Sequence, residues 1–376
     1  MAAYVFRVDI YLSMIRGHRS LISFHELHYP LPTTYSIWNA DGLHLFAERL
    51  ETEPLSRHQT SMWTRIKDIE KGVEVPADEP MLIEDIQFFM CVIQPKVAHF
   101  WNKMRSSCLT EDSAALRAQC PRPRLETLKR QLDQISHQLK SPPDPGAPEA
   151  LPSIHYHGYE DPSEPGFDTI VSRRMKDLVF DALMLSHLIQ MQLSTDIPLF
   201  SQIAKDRNVP LGMQLPEARR QEREQRVCSA TTWTTTSLAR RALYHAAEVL
   251  VLHRQNEEID ARLMDPITLV AVVNAALIVW AYCTFSGAKA PDDMNRRSPF
   301  TTELTEWCNG NSPDKGSREM WINVGTGLPI EIEGVRLCDC NAGFFTARFR
   351  AFIPEGWELA DTIAPGIWKG PSSGLD

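Results

Sequence analysis

The sequence predicts an all-α protein, an irregular multi-helix array broken by a Pro-rich internal linker. Three observations predict it. Apolar residues recur three and four positions apart along most of the chain, the spacing that lines one face of a helix. Strand signals are few and short. From Ser141 to Gly166 the composition shifts to SPPDPGAPEALPSIHYHGYEDPSEPG. Prolines lack a donor N–H and fix φ, so no helix or central strand is expected there. The chain therefore divides into a helical part at 1–140, a linker or long surface loop at 141–166, and a second helical part at 167–376.

The first helix is expected at Ala2–Arg16. Arg7 and Asp9 interrupt its apolar run, which excludes a secretory leader and leaves an amphipathic helix. Further helices are expected at Tyr35–Leu50, Met81–Met104 and Ser113–Leu139, with Pro95 kinking or splitting the third. Thr169–Leu193 places Val171, Met175, Leu178, Ala182, Leu185 and Ile189 on one face, and turns Arg174, Asp177 and Asp181 to water. A charge-rich helix runs from Glu217 towards Arg226. Leu238–His253 follows, with Ala239, Ala242, Leu243, Ala246 and Leu250 opposite a stripe of Arg241, His245 and Glu248.

Asp265-Pro266 pairs a carboxylate N-cap with proline at the first helical position. The segment it opens, Pro266–Ala288, carries no charge. Its length approaches the ~20 residues of a membrane span. Thr268, Asn274, Thr284 and Ser286 stand against that reading, as does the lack of a flanking Lys/Arg cluster. A core helix buried on all sides gives the same pattern, and is the reading adopted. The best strand candidates are Trp321–Val324, Ile330–Ile332 and Phe344–Phe352, the last equally a helix.

Hydrophobic residues make up 43% of the 376, enough for one or two sizeable cores. A net charge of −9 repels nucleic acid, which argues against a free-standing DNA-binding module. The eight scattered cysteines read as reduced thiols. Motif by motif, chemistry is not indicated. Gly370-Pro371-Ser372-Ser373-Gly374 copies a hydrolase elbow, but no histidine follows it. In His25-Glu26-Leu27-His28 the histidines stand at i and i+3, not the i and i+4 of a zinc protease. His155-Tyr156-His157 reads as solvated loop. Cys338-Asp339-Cys340 lacks a second ligand pair for zinc. The basic runs Arg122–Arg130 and Arg219–Arg226 are interleaved with acids, as solvated helix faces are.

Four stretches, taken in order, resemble a known family. The first is YVFRVDIYLSMIRGHRSLISFHELHYPLPTTYSIWNA, from Tyr4 to Ala40. It has an apolar helix carrying Asp9, then Gly17, Ile22-Ser23, Glu26-Leu27, Pro30-Leu31-Pro32 and Trp38-Asn39-Ala40. The second is Trp233 followed by Ala239-Arg240-Arg241-Ala242-Leu243-Tyr244-His245-Ala246-Ala247. The third is Asp265-Pro266 leading to Ala275–Tyr282. The fourth is Trp321-Ile322, then Glu333-Gly334-Val335-Arg336-Leu337-Cys338. This set resembles the middle homology region, the regulatory domain, of fungal zinc-finger transcription factors. His18-Arg19-Ser20 departs from the prolines usual after that glycine.

The resemblance implies a helical regulatory domain that modulates RNA polymerase II transcription in the nucleus. Its partners would be transcription machinery or regulatory proteins, with homodimerisation left open and no membrane. It implies DNA contact only through an N-terminal module that this chain lacks, and zinc only there: the sequence has no Cys-x₂-Cys-x₆-Cys string and no Cys/His finger spacing. Met1 enters the region partway, so the chain reads as truncated. No catalytic residue, metal ligand or cofactor is expected within it. The faces around Trp233, Tyr244, His245, Trp280 and Tyr282 are candidates for an effector site, against the alternative that they pack the core. Other readings are an interaction module or co-regulator without DNA binding, an all-α enzyme, and a single-span membrane protein.

Overall fold

A computed structural model describes residues 2–71, 81–106, 121–140, 152–160, 162–207, 216–256, 264–288, 301–308, 315–325 and 328–368. The fold is all-α, with a single small sheet among the described residues. The chain divides into two compact units, Met1–Ser186 and His187–Asp376.

The first unit holds α1 (Ala2–Arg16), α2 (Tyr35–Trp38), α3 (Gly42–Leu50), α4 (Ser56–Gln59), α5 (Met62–Lys71), α6 (Ile83–Ser106) and α7 (Arg122–Lys140). It also holds most of α8 (Phe167–Ser194). Helix α1 has the expected bounds. It buries Phe6, Ile10 and Tyr11, and Phe6 meets Phe88 of α6 with ring centroids 5.2 Å apart. The expected helix Tyr35–Leu50 is two helices. Asn39 closes α2, and Gly42 takes a left-handed φ of +83° at the start of α3, a backbone state that a helix interior forbids. Pro95 lies inside α6 without splitting it. The missing N–H costs one bond, while the apolar face on either side stays buried. Helix α7 buries Leu125, Leu128, Leu132 and Ile135, spaced three and four apart, and packs on α6. The earlier start expected at Ser113 lies outside the described residues.

The solvated-loop reading of His155-Tyr156-His157 is corrected. Residues 141–151 lie outside the described residues, but Ser153–Tyr156 forms a 3-10 turn with Tyr156 fully buried and His155 at 5% exposure. Prolines end helices without preventing a turn from docking. Here the docked group is an aromatic ring whose hydroxyl finds buried partners.

The second unit is built round α12 (Pro266–Phe285), preceded by α9 (Ile197–Arg207), α10 (Glu217–Thr234) and α11 (Ser237–Gln255). Sixteen of the twenty residues of α12 are buried, so it has no solvent face and must be surrounded. Helices α9, α10 and α11 do this, with α15 (Ala342–Arg350) and α16 (Leu359–Ile363). Asp265 Oδ1 accepts the Ile267 N–H at 3.0 Å, as the cap reading expects.

Strand β1 (Thr302–Glu303) pairs parallel with β2 (Ile330–Ile332), which pairs antiparallel with β3 (Val335–Arg336). The β2–β3 loop is Glu333-Gly334, with φ +54° and +72°, the doubly left-handed turn that suits strand twist. The Glu303 carboxylate accepts the Gly334 N–H at 2.7 Å and ties β1 to that loop. The remaining helices are α13 (Leu304–Cys308) and α14 (Lys315–Val324). One strand expectation fails, since Trp321–Val324 ends α14, and Phe344–Phe352, left open between strand and helix, lies mostly in the helix α15. The four residues Trp321-Ile322-Asn323-Val324 are too few to show a period that separates strand from helix. The reading of all cysteines as thiols is corrected at Cys338 and Cys340, which are joined in a disulfide at the start of a 3-10 turn.

Candidate functional site

In the first unit a pocket opens where the N-terminal turns of α1 meet α2 and the start of α6. It is an open cleft, and its empty space of about 710 Å³ includes the solvent at its mouth. Helix α1 contributes Tyr4 and Arg7, α2 contributes Tyr35 and Trp38, and α6 contributes Glu84 and Phe88. The spacing of Tyr4 and Arg7, and of Glu84 and Phe88, sets each pair on one face of its helix. Trp38 is 65% exposed, unusual for a tryptophan beside a core.

A dense polar network sets the pocket floor. Arg57 of α4 also lines the pocket, and its guanidinium grips both oxygens of Asp85 at 2.7 and 3.0 Å. It also donates to the Pro32 carbonyl at 2.7 Å. Glu53 lies 3.9 Å from Arg57 and accepts the Thr34 N–H. Burial opposes the Arg57 charge, but Asp85 more than restores it, so its pKa is raised. The Tyr156 hydroxyl donates to Glu84 Oε2 at 2.9 Å and accepts the Ile83 N–H at 3.0 Å. Removal from water raises the Glu84 carboxyl above its ordinary range, and neighbouring Asp85 adds to this. Burial and the Glu84 charge likewise raise the Tyr4 phenol.

The five residues expected to mark an effector face occupy separate settings in the second unit. Trp233 donates its indole N–H to the Ser194 carbonyl at 3.1 Å and lies edge-on to Phe200. Trp280 has Arg207 over its ring at 5.5 Å and Phe285 at its edge. Tyr282 is half-buried; burial raises its phenol pKa, and the Arg240 charge works against this. Tyr244 and His245 do share one polar cluster. The Tyr244 hydroxyl donates to Glu248 and accepts from Arg318 at 3.0 Å. Burial, then the Glu248 charge, push that phenol far above its usual pKa. His245 Nδ1 lies 3.0 Å from His187 Nδ1, so one ring must donate and the other accept.

No protein-family model, no curated protein and no solved structure matches this chain.

Among the described residues, no group of three or more His, Cys, Asp or Glu side chains could hold a metal ion. His25, Glu26 and His28 form an exposed turn, where Glu26 completes a capping box with Ser23. The Gly370–Gly374 string lies outside the described residues. Asp177 and Asp181 are half-buried rather than fully exposed. Arg174, expected in water, donates to the Tyr156 carbonyl at 2.6 Å and lies over the Tyr35 ring at 4.8 Å. Sequence reasoning missed Tyr4, Glu84 and Tyr156 as site residues. One signal was present: Glu84-Asp85 places two carboxylates in the first turn of an otherwise apolar helix.

Proposed function

We propose that this chain is the regulatory, non-catalytic region of a fungal zinc-finger transcription factor. It acts in the nucleus on RNA polymerase II transcription, through regulatory proteins or a small effector. DNA and zinc belong to a module outside this sequence. One observation carries the reading: the residues of the first of the four stretches, Tyr4–Ala40, are tied to one another and to α4 by hydrogen bonds. Asp9 of α1 accepts the Ile22 N–H at 2.8 Å. Ser23 and Glu26 form the reciprocal cap of the following turn. The Leu31 N–H bonds to the Thr60 carbonyl at 3.3 Å. The Pro32 carbonyl receives Arg57, and Thr34 caps the helix that ends at Trp38. This is the order of helix, extended segment, Leu-Pro turn and Trp-bearing helix that the resemblance implies.

The test is a fusion of the chain to an unrelated DNA-binding domain, read on a polymerase II reporter in a fungal cell. Reporter output different from that of the DNA-binding domain alone is the expected result. Unchanged output from a stably expressed nuclear fusion would sink the proposal. An electrophoretic shift on the isolated chain probes its second half: sequence-specific retardation would show that the chain reads DNA by itself.

A further inference from the structure

We propose that the pocket between α1, α2 and the start of α6 binds an arylalkyl amine. The Glu84 carboxylate takes the ammonium, and the rings of Tyr4, Tyr35 and Trp38 enclose the aromatic body. This goes beyond the transcriptional reading and does not depend on it.

The choice of a cation follows from the charges round the pocket. Two guanidiniums, Arg7 and Arg57, face three carboxylates, Glu53, Glu84 and Asp85. Arg57 is committed to Asp85 on one side and lies 3.9 Å from Glu53 on another. Arg7 lies over the rings of Tyr4 and Tyr11 at 5.3 and 5.8 Å and donates to the Gln87 amide at 3.0 Å. Glu84 is different. Its side-chain hydrogen-bond partner is the neutral Tyr156 hydroxyl, on Oε2, and the Arg57 charge acts on it without a hydrogen bond between them. A carboxylate drawn from water with a neutral partner gains most from a ligand cation.

The choice of an aromatic body follows from the walls. Tyr4, Tyr35, Trp38 and Phe88 line one space. Ring faces attract a cation within about 6 Å and stack on a second ring. Trp38 packs little against its own protein, so a ligand would cover it. The cleft is open to solvent on one side, so the ring can lie against these walls while the rest of the ligand stays partly in water. The mirror ligand is disfavoured at Glu84, although Arg7 and Arg57 line the same cleft and make it the decisive control. An aryl carboxylate would lay its anion against Glu84, a like-charge contact in a poorly solvated site.

The experiment uses the full chain with phenylethylamine, tryptamine and tyramine as probes, and 3-phenylpropionate as the charge-reversed control. Saturation-transfer NMR and calorimetry read the binding. Expected are transfer to the amines, little to the carboxylate, and an amine affinity lowered about tenfold or more by Glu84→Gln. Glutamine keeps a carbonyl for Tyr156, so the variant holds its fold; circular dichroism checks this. Trp38→Ala, at an exposed position, lowers affinity about fivefold. Silence from all three amines overturns the proposal. So does carboxylate binding as tight as amine binding, or an affinity unchanged in Glu84→Gln.

Discussion

At the scale of single residues, the first unit is pinned by charge taken out of water. Arg57 and Asp85 are 3% and 4% exposed, so neither can fall back on solvent if the other is removed. Arg57→Ala leaves Asp85 buried without its counter-charge and is expected to cost about 3–5 kcal/mol. Urea denaturation of the variant measures it; a loss below about 1 kcal/mol would mean that water replaces the guanidinium. Glu84 gives a signed pH effect. Its folded carboxyl titrates above the ordinary 4.5, so the folded state holds a proton that the unfolded state releases. Stability tied to that proton is present below pH 4.5 and is lost as pH rises through the folded value. Glu84→Gln removes this loss. The variant is therefore expected to gain stability over the parent between pH 4 and pH 7, followed by denaturation at several pH values. A difference that is flat with pH would contradict the burial of this carboxylate.

At the scale of elements, α12 organises the second unit, and its start is set by one side chain. Asp265→Ala removes the acceptor of the Ile267 N–H and is expected to cost about 1 kcal/mol, read as a lower melting temperature. This cap was legible in the sequence because Asp-Pro before an uncharged apolar run is a local signal. The bounds of α1 and the strand Ile330–Ile332 were legible for the same reason. What escaped was decided by distant partners. Tyr156 looked like solvent-facing loop, and its burial depends on Glu84 and Ile83, more than seventy residues earlier. The break between α2 and α3 depends on the backbone of Gly42, where the apolar pattern runs on unchanged. The pocket joins Tyr4 to Glu84, a pairing that no local spacing encodes. The five residues singled out in advance were the aromatic and histidine side chains of strong helices. Their partners (Ser194, His187, Arg318, Arg207) lie on other elements.

At the scale of the whole molecule, the two units use different means to the same end. The second buries α12, a helix long and apolar enough by composition to cross a membrane, with 89% of its most apolar window inside the protein. Its order rests on apolar contact in every direction. The first unit is smaller-grained, with short helices and turns held by Arg57, Arg49, Glu53 and Tyr156. Arg49 shows the pattern: its guanidinium bonds to the carbonyls of Ser36 and Gly158, joining parts of the chain more than a hundred residues apart.

That last bond, with Tyr156 at Glu84 and Arg174 over the Tyr35 ring, joins residues before 141 to residues after 151, so peptide continuity between them should be dispensable for keeping the first unit together. Cleaved at an inserted protease site there, the molecule should behave as a two-piece protein whose fragments co-elute from a sizing column and separate only in denaturant. Expressed as two genes, the pieces should find one another. The proline-rich stretch would then be a place to cut and splice this chain, and a poor place to divide it into domains.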